Sequence, residues 1–219
     1  MSLANRLFSY FPLLMTVAAF AALGVFAAWP NGWTVFLLLF VLYLFAPITL
    51  RIVQRWTPIR HGVHKIDDRT YCSWLAAHHI QAFYDALPYL ESLLRVLPGF
   101  YSLWLRLWGS RVGYGVEWAV NVSIQDRTLM DIGNRVVFSR QVELAAHVRK
   151  KTEGGGSRVL VRPVRIGSYA FLGPGVRVGP GGGVPHNANV PALAVVDVNQ
   201  NYGEPERHPN KDEAEFELV

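Results

Sequence analysis

The sequence predicts a mainly β fold carried behind a helical hairpin: a coil of short parallel strands preceded by two apolar helices. Three observations predict it. No charged residue occurs from Leu7 through Leu50. From Val112 onward an aliphatic or aromatic residue recurs at every sixth position, usually with a small or β-branched residue four places later. Glycine stands directly after Ile132, Ile166, Leu172 and Val178, and the two-residue alternation of long strands is missing.

The first observation accounts for the N-terminal part. Hydrophobic residues make up 51% of the 219, and they are unevenly spread. Pro30-Asn31-Gly32 divides the uncharged stretch into Phe11 to Trp29 and Trp33 to Leu50. Each is close to the roughly 20 residues that cross a bilayer, so residues 1–52 read as a two-span hairpin. Only Arg6 precedes the first run and a second span follows at once, which is unlike a cleaved leader. Arg6 lies on one side of the hairpin, Arg51, Arg55, Arg60 and Lys65 follow it, and the connecting turn has no basic residue. Both termini are therefore expected in the cytoplasm, with the chain in the inner membrane. The single Cys72 permits no intrachain disulfide and suits a reducing compartment. The juxtamembrane share of the +5 net charge is explained by anionic lipid headgroups and topology, so no nucleic-acid partner is expected.

Residues 53–110 are rich in Trp, Tyr, Leu and His. Helical spacing runs from Tyr71 to Arg95, and Pro88 and Pro98-Gly99 divide the stretch into two or three short helices. The reading is interfacial, with Trp56, Trp74, Trp104 and Trp108 expected at the headgroup level. His61, His64, His78 and His79 lack the spacing and the cysteine or carboxylate partners of a metal site.

Residues 111–196 carry the repeats. The hexads VGYGVE, WAVNVS and IQDRTL come first; after Met130 and Asp131 follow IGNRVV, FSRQVE and LAAHVR. A polar, glycine-rich interruption from Lys150 to Arg158 precedes LVRPVR, IGSYAF, LGPGVR, VGPGGG, VPHNAN and VPALAV. Such a period suits a triangular coil with one hexad per side. The first residue fills the centre and the fifth fits a crowded corner, while stacked coils pair their backbones in parallel ladders. Three hexads per turn give about four coils. Gly182 supplies no side chain at its corner, which weakens the last run. Residues 197–219, with the polar stretch Gly203 to Asn210 and the acidic stretch Asp212 to Glu217, read as a disordered tail without chemistry.

The segments LMDIGNRVVFSRQVELAAH and RPVRIGSYAFLGPGVRVGPGGGV resemble the hexapeptide-repeat acyltransferases. Within that superfamily they are similar to the colanic-acid, maltose and xenobiotic acetyltransferases, and to β-helical terminal domains of nonribosomal peptide synthetase-like proteins. The resemblance implies a left-handed parallel β-helix and a homotrimer, with acyl-CoA, acetyl-CoA foremost, bound in the groove between adjacent subunits. It implies a catalytic histidine that ends a coil before a projecting loop, and His147 occupies that place. A neutral imidazole near its reference pKa of ~6.5 suits removal of a proton from an acceptor hydroxyl or amine. Asp126 and Asp131 are candidates to orient the ring from a neighbouring coil, with Asn134 beside them, although turn and surface roles are the simpler reading of both aspartates. Ser139, Tyr169, Phe171 and Gly173 are candidates for the cofactor groove. Phe171 stands where relatives often carry tryptophan, which leaves a specific stacking contact in doubt. His186 raises comparison with β-helical carbonic anhydrases, but the coil region has only His147 and His186, too few for a three-histidine zinc site. No metal is therefore expected. The implied acceptor is an amphiphilic or membrane-linked saccharide or other envelope intermediate. A non-catalytic β-helical scaffold in a membrane complex is the alternative.

Overall fold

In a computed structural model, residues 3–66, 71–151, 156–204 and 216 are described. They fall into two compact units, Met1–Ile59 with Asp68–Glu91, and Arg60–Asp67 with Ser92–Val219. The 53–110 stretch is thus shared between both.

The first unit is helical. It holds α1 (Leu3–Phe8), α2 (Phe11–Ala28), α3 (Gly32–Leu39), α4 (Ala46–Trp56) and α5 (Ser73–Ala86), and α6 (Pro88–Val96) begins in it. Asn31 starts α3 with a capping box: its side chain accepts from the N–H groups of Trp33 and Thr34, and the Thr34 hydroxyl accepts from Asn31 N–H. A π-helical turn, Phe40–Phe45, joins α3 to α4 without a break. Its cause lies at Pro47, which has no N–H to close the ladder. In i→i+5 pairing Pro47 would face Leu42, and the Leu42 carbonyl instead accepts from the Tyr84 hydroxyl at 2.8 Å. The segments Asn5–Ala28 and Gly32–Trp56 are long and apolar enough to cross a membrane, and most of each is not buried in the protein. At 1.5 Å per residue, 24 and 25 residues exceed the ~30 Å of a hydrocarbon core.

The second unit contains β1 (Gly62–Ile66), α7 (Phe100–Trp108) and fourteen further strands. Twelve of them form the coil. In chain order the first three are β2 (Arg111–Val112), β3 (Glu117–Trp118) and β4 (Ser123–Ile124); next come β5 (Met130–Ile132), β6 (Val137–Phe138) and β7 (Glu143–Leu144). The hairpin β8 (His147–Lys151) and β9 (Ser157–Val161) intervenes. Then follow β10 (Val164–Ile166), β11 (Phe171–Leu172), β12 (Arg177–Val178), β13 (Gly183–Val184), β14 (Asn189–Val190) and β15 (Val195–Val196). The chain visits three parallel sheets in rotation, ordered β13-β10-β5-β2, β14-β11-β6-β3 and β15-β12-β7-β4. Four coils of three strands result.

The six-residue period is met at the side chains. Ile124, Ile132, Phe138, Leu144, Ile166, Leu172, Val178 and Val190 are buried in the coil, and Val136, Val142, Val164 and Val176 fill corners. Gly133 and Gly167 stand where a Cβ would lie 2.5 Å from the backbone nitrogens of Ser168 and His186, one coil on. These glycines allow the coils to stack. The fourth hexad residue turns ten corners in the left-handed conformation, from Gly115 and Asn121 through Arg135, Gln141, Tyr169, Gly175, Gly181 and Asn187 to Leu193 and Asn199. Asparagine tolerates this conformation, whereas Arg135, Gln141, Tyr169 and Leu193 adopt it against their intrinsic preference. A column of side chains supports the first corner: the N–H groups of Tyr114, Asn134 and Ser168 donate to Asn134 Oδ1, Ser168 Oγ and His186 Nδ1 in turn.

Helix α7 covers the open end of the first coil. Its Tyr101, Trp104, Leu105 and Trp108 are buried. Trp118 stacks on Phe138 with ring centroids 4.5 Å apart, and its indole N–H donates to Ser102 Oγ at 2.9 Å. This corrects the interfacial reading of the tryptophans. Trp74, Trp104 and Trp108 are buried in packing and only Trp56 is exposed. Outward apolar residues of α6, α7 and the turn between them include Leu93, Val96, Leu97, Phe100 and Leu103.

Four further expectations are corrected, the last at one residue. Lys150, Lys151, Ser157 and Arg158 are not a loop but belong to β8 and β9, which pair antiparallel. Leu160, counted as a coil position, packs in this hairpin with Val198 and Phe216. Residues 62–66, expected in an interfacial helical region, form β1, and the three strands make a sheet ordered β1-β9-β8. Of the tail expected to be disordered, residues 205–215 and 217–219 lie outside the described residues, whereas Phe216 is fully buried.

Candidate active site

His147 stands where the repeat is broken. It is the fourth residue of its hexad, the position that turns left-handed at ten corners, yet here it opens strand β8. The equivalent residue one coil earlier, Arg127, also avoids the left-handed turn, and Met130 and Asp131 lengthen that hexad. Both departures fall at one corner, between the third and first sheets. Local irregularity of this kind concentrates at functional places.

The register past the strand ends brings two side chains together. Gln125 N–H donates to the Leu144 carbonyl at 3.1 Å, setting Asp126 beside Ala146 of the next coil. Asp126 Oδ2 then accepts from Ala146 N–H at 3.1 Å and from His147 Nδ1–H at 2.7 Å. The carboxylate side chain is 2% exposed and the imidazole 15%. Arg162 N–H donates to the Ala146 carbonyl at 2.9 Å and closes the hairpin beneath His147. Burial strengthens the contact, and a carboxylate at Nδ1 fixes the neutral tautomer with its lone pair on Nε2. Such an imidazole can take a proton at Nε2 while the carboxylate stabilises the cation that forms.

The other candidates lie elsewhere. Asp131 faces Arg111, 3.9 Å away, and Asn134 belongs to the corner column. Tyr169 turns the corner between the first and second sheets, where Arg135 lies 5.9 Å from its ring. Phe171 is exposed on the second sheet, and Ser139 and Gly173 lie at the corner leading to the third. A Cβ at Gly173 would sit 2.7 Å from Ala192 N, so coil stacking accounts for that glycine. A single chain therefore does not gather these residues around His147.

Among the described residues no group of three or more His, Cys, Asp or Glu side chains could hold a metal ion. His186 Nδ1 is occupied as an acceptor in the corner column. His78 stacks on Trp74 with ring centroids 5.2 Å apart, and burial, followed by the neighbouring His78 charge, lowers the pKa of His79. A cleft of about 670 Å³ lies at the coil's first end, lined by residues that include Arg95, Tyr101, Arg106, Tyr114 and Trp118. Arg106 donates there to the carbonyls of Val112 and Gly113, and Arg95 lies over the Tyr101 ring. Sequence reading missed this cleft because its residues come from separate helices and the first coil.

No protein-family model matches the chain, and no curated protein matches it. Solved structures similar to it include a maltose O-acetyltransferase from Clostridium difficile 630, 18% identical over 51% of this chain and 74% of that one, with a TM-score of 0.39. A hexapeptide-repeat acetyltransferase from Vibrio cholerae, complexed with acetyl-coenzyme A, is 16% identical over 53% and 78%, with a TM-score of 0.41. Serine acetyltransferase isoform 3 from Entamoeba histolytica is 14% identical over 95% and 83%, with a TM-score of 0.23.

Proposed function

We propose that this chain is a membrane-anchored, acyl-CoA-dependent acyltransferase of the hexapeptide-repeat type, built on a left-handed parallel β-helix, with His147 as general base. The observation that carries this reading is the Asp126–His147 pair at the one corner where the coil departs from its repeat.

The chemistry follows from the two side chains. Nε2 of neutral His147 removes the proton of an acceptor hydroxyl as its oxygen attacks the thioester carbonyl. Asp126 holds the ring and offsets the positive charge that it acquires. Collapse of the tetrahedral intermediate breaks the carbon–sulfur bond, and the imidazolium proton passes to the departing thiolate. Ester and free thiol result, without an acyl-enzyme.

Ser139, Tyr169, Phe171 and Gly173 lie on the second sheet or its corners, while His147 opens β8 after the third, so the groove they line is assigned to the junction with a neighbouring subunit of a homotrimer. Asn5–Ala28 and Gly32–Trp56 anchor the chain in the inner membrane, with both termini and the coil cytoplasmic. The outward apolar side chains of α6 and α7 suit contact with lipid. An anchored site favours amphiphilic acceptors such as membrane-linked saccharides.

The test is acetyl-CoA binding by purified protein in nanodiscs, followed by mass spectrometry of a membrane extract incubated with protein and labelled acetyl-CoA. A labelled, membrane-derived ester or amide is the expected product. Absence of both binding and product would leave the coil as a scaffold.

A further inference from the structure

The sheet that carries His147 has a face that the catalytic reading does not use. Register puts Val63, Leu160 and Val148 in one row across β1, β9 and β8. Two residues further on, and so on the same face, Lys65, Arg158 and Lys150 form the next row. Three cations thus lie side by side, neighbouring strands being ~5 Å apart. On the apolar row sits Phe216, fully buried against Leu160 and Val198, with Val63 and Val148 packed around them. In the sequence Phe216 is flanked by Glu215 and Glu217, with Asp212 and Glu213 just before.

We infer that this face is a docking surface for the chain's own C-terminal segment, which acts as a latch on the His147 hairpin. Phe216 is the plug on the apolar row, the Lys65–Arg158–Lys150 row lies about 7 Å further along the same face, and the acidic residues next to Phe216 in sequence are its counter-charge. The pairing matches three cations in one row with an acidic run. It also explains why a single phenylalanine stands in an acidic run. Because β8 begins at His147, holding the hairpin holds the imidazole, and Phe216 is a positioning residue for it. The positioning role rests on His147 being the base; the docking does not.

The test uses full-length protein in nanodiscs and reads hydrogen–deuterium exchange at the amides joining β8 to β9, with coil amides at Val136 and Val176 as internal reference. Phe216→Ala is expected to speed hairpin exchange by roughly 100-fold or more and leave the coil unchanged. Lys65→Glu with Lys150→Glu, and separately Glu215→Lys with Glu217→Lys, should each speed it about two- to tenfold at low salt. Both effects should fade at high salt, and combining all four changes should restore slow exchange. If Phe216→Ala loosens the coil as well, the charge reversals, which keep the plug, decide the matter. Unchanged hairpin exchange in Phe216→Ala overturns the latch. Additive rather than compensating charge reversals overturn its ionic half. Where acetyl transfer is measurable, Phe216→Ala lowers kcat at constant acetyl-CoA affinity, and Phe216→Leu recovers part of it. Exchange responds whether or not transfer occurs, so failure of the latch and failure of the acyltransferase reading are separable.

Discussion

Asp126 and His147 are 21 residues apart in sequence and 2.7 Å apart in space, because one full coil separates them and stacking sets one above the other. The same carboxylate oxygen binds the Ala146 amide, so it fixes backbone and ring together.

Replacing Asp126 by Asn removes the charge that balances a protonated ring while keeping a similar shape. Turnover is expected to fall by about 10²-fold or more with little change in KM for acetyl-CoA. Loss of two charge-assisted hydrogen bonds should also cost roughly 1.5–3 kcal/mol of stability. Steady-state thiol release and a thermal melt on the same preparation measure both effects. An unchanged kcat would show that the carboxylate serves the fold alone.

Gly167 has no room for a side chain, since a Cβ would lie 2.5 Å from His186 N. Gly167→Ala should destabilise the coil by ~1–3 kcal/mol through forced separation of two coils. Gly156→Ala, where nothing lies within 4 Å, is the control and should leave the melting temperature close to wild type. Thermal unfolding followed by circular dichroism distinguishes the two.

Leu193 turns its corner at a φ of 62° and is 78% exposed. Asparagine tolerates that conformation better, so Leu193→Asn should stabilise the protein by up to about 1 kcal/mol. A rise of ~2–4 °C in Tm follows for a chain of this size. A lower Tm would mean that the leucine methyls packed over Gly175 outweigh the backbone cost.

The coil was legible because its period is local: eleven of the twelve first-position residues point into it. Leu160 was the exception. Its hexad LVRPVR keeps the spacing while the chain is still in the hairpin, and spacing alone cannot tell a coil side from a strand that returns to it. Strand β1 was missed because five residues, GVHKI, are too short to compete with the helical signals around them, and their partner β9 lies nearly a hundred residues away. Residue type alone points the tryptophans to lipid, whereas α7 uses the bulk of Trp104 and Trp108 to cover the coil's open end. Asp126 was legible as a possible partner of His147 only once coils were stacked, and its preference over Asp131 depended on the two-residue insertion Met130–Asp131 and on the register at Gln125. Phe216 offered one signal, a lone aromatic in an acidic run, that composition averaged away.

His147 carries the proposed chemistry, and the most direct measurement is acetyl transfer by His147→Ala compared with wild type at matched oligomeric state. The imidazole lies outside the coil's interior, so assembly and most of the acetyl-CoA affinity should survive. Turnover should fall by about 10²- to 10⁴-fold, or roughly 3 to 5 kcal/mol in the barrier. Turnover within a few-fold of wild type would contradict the assignment of His147 as the base.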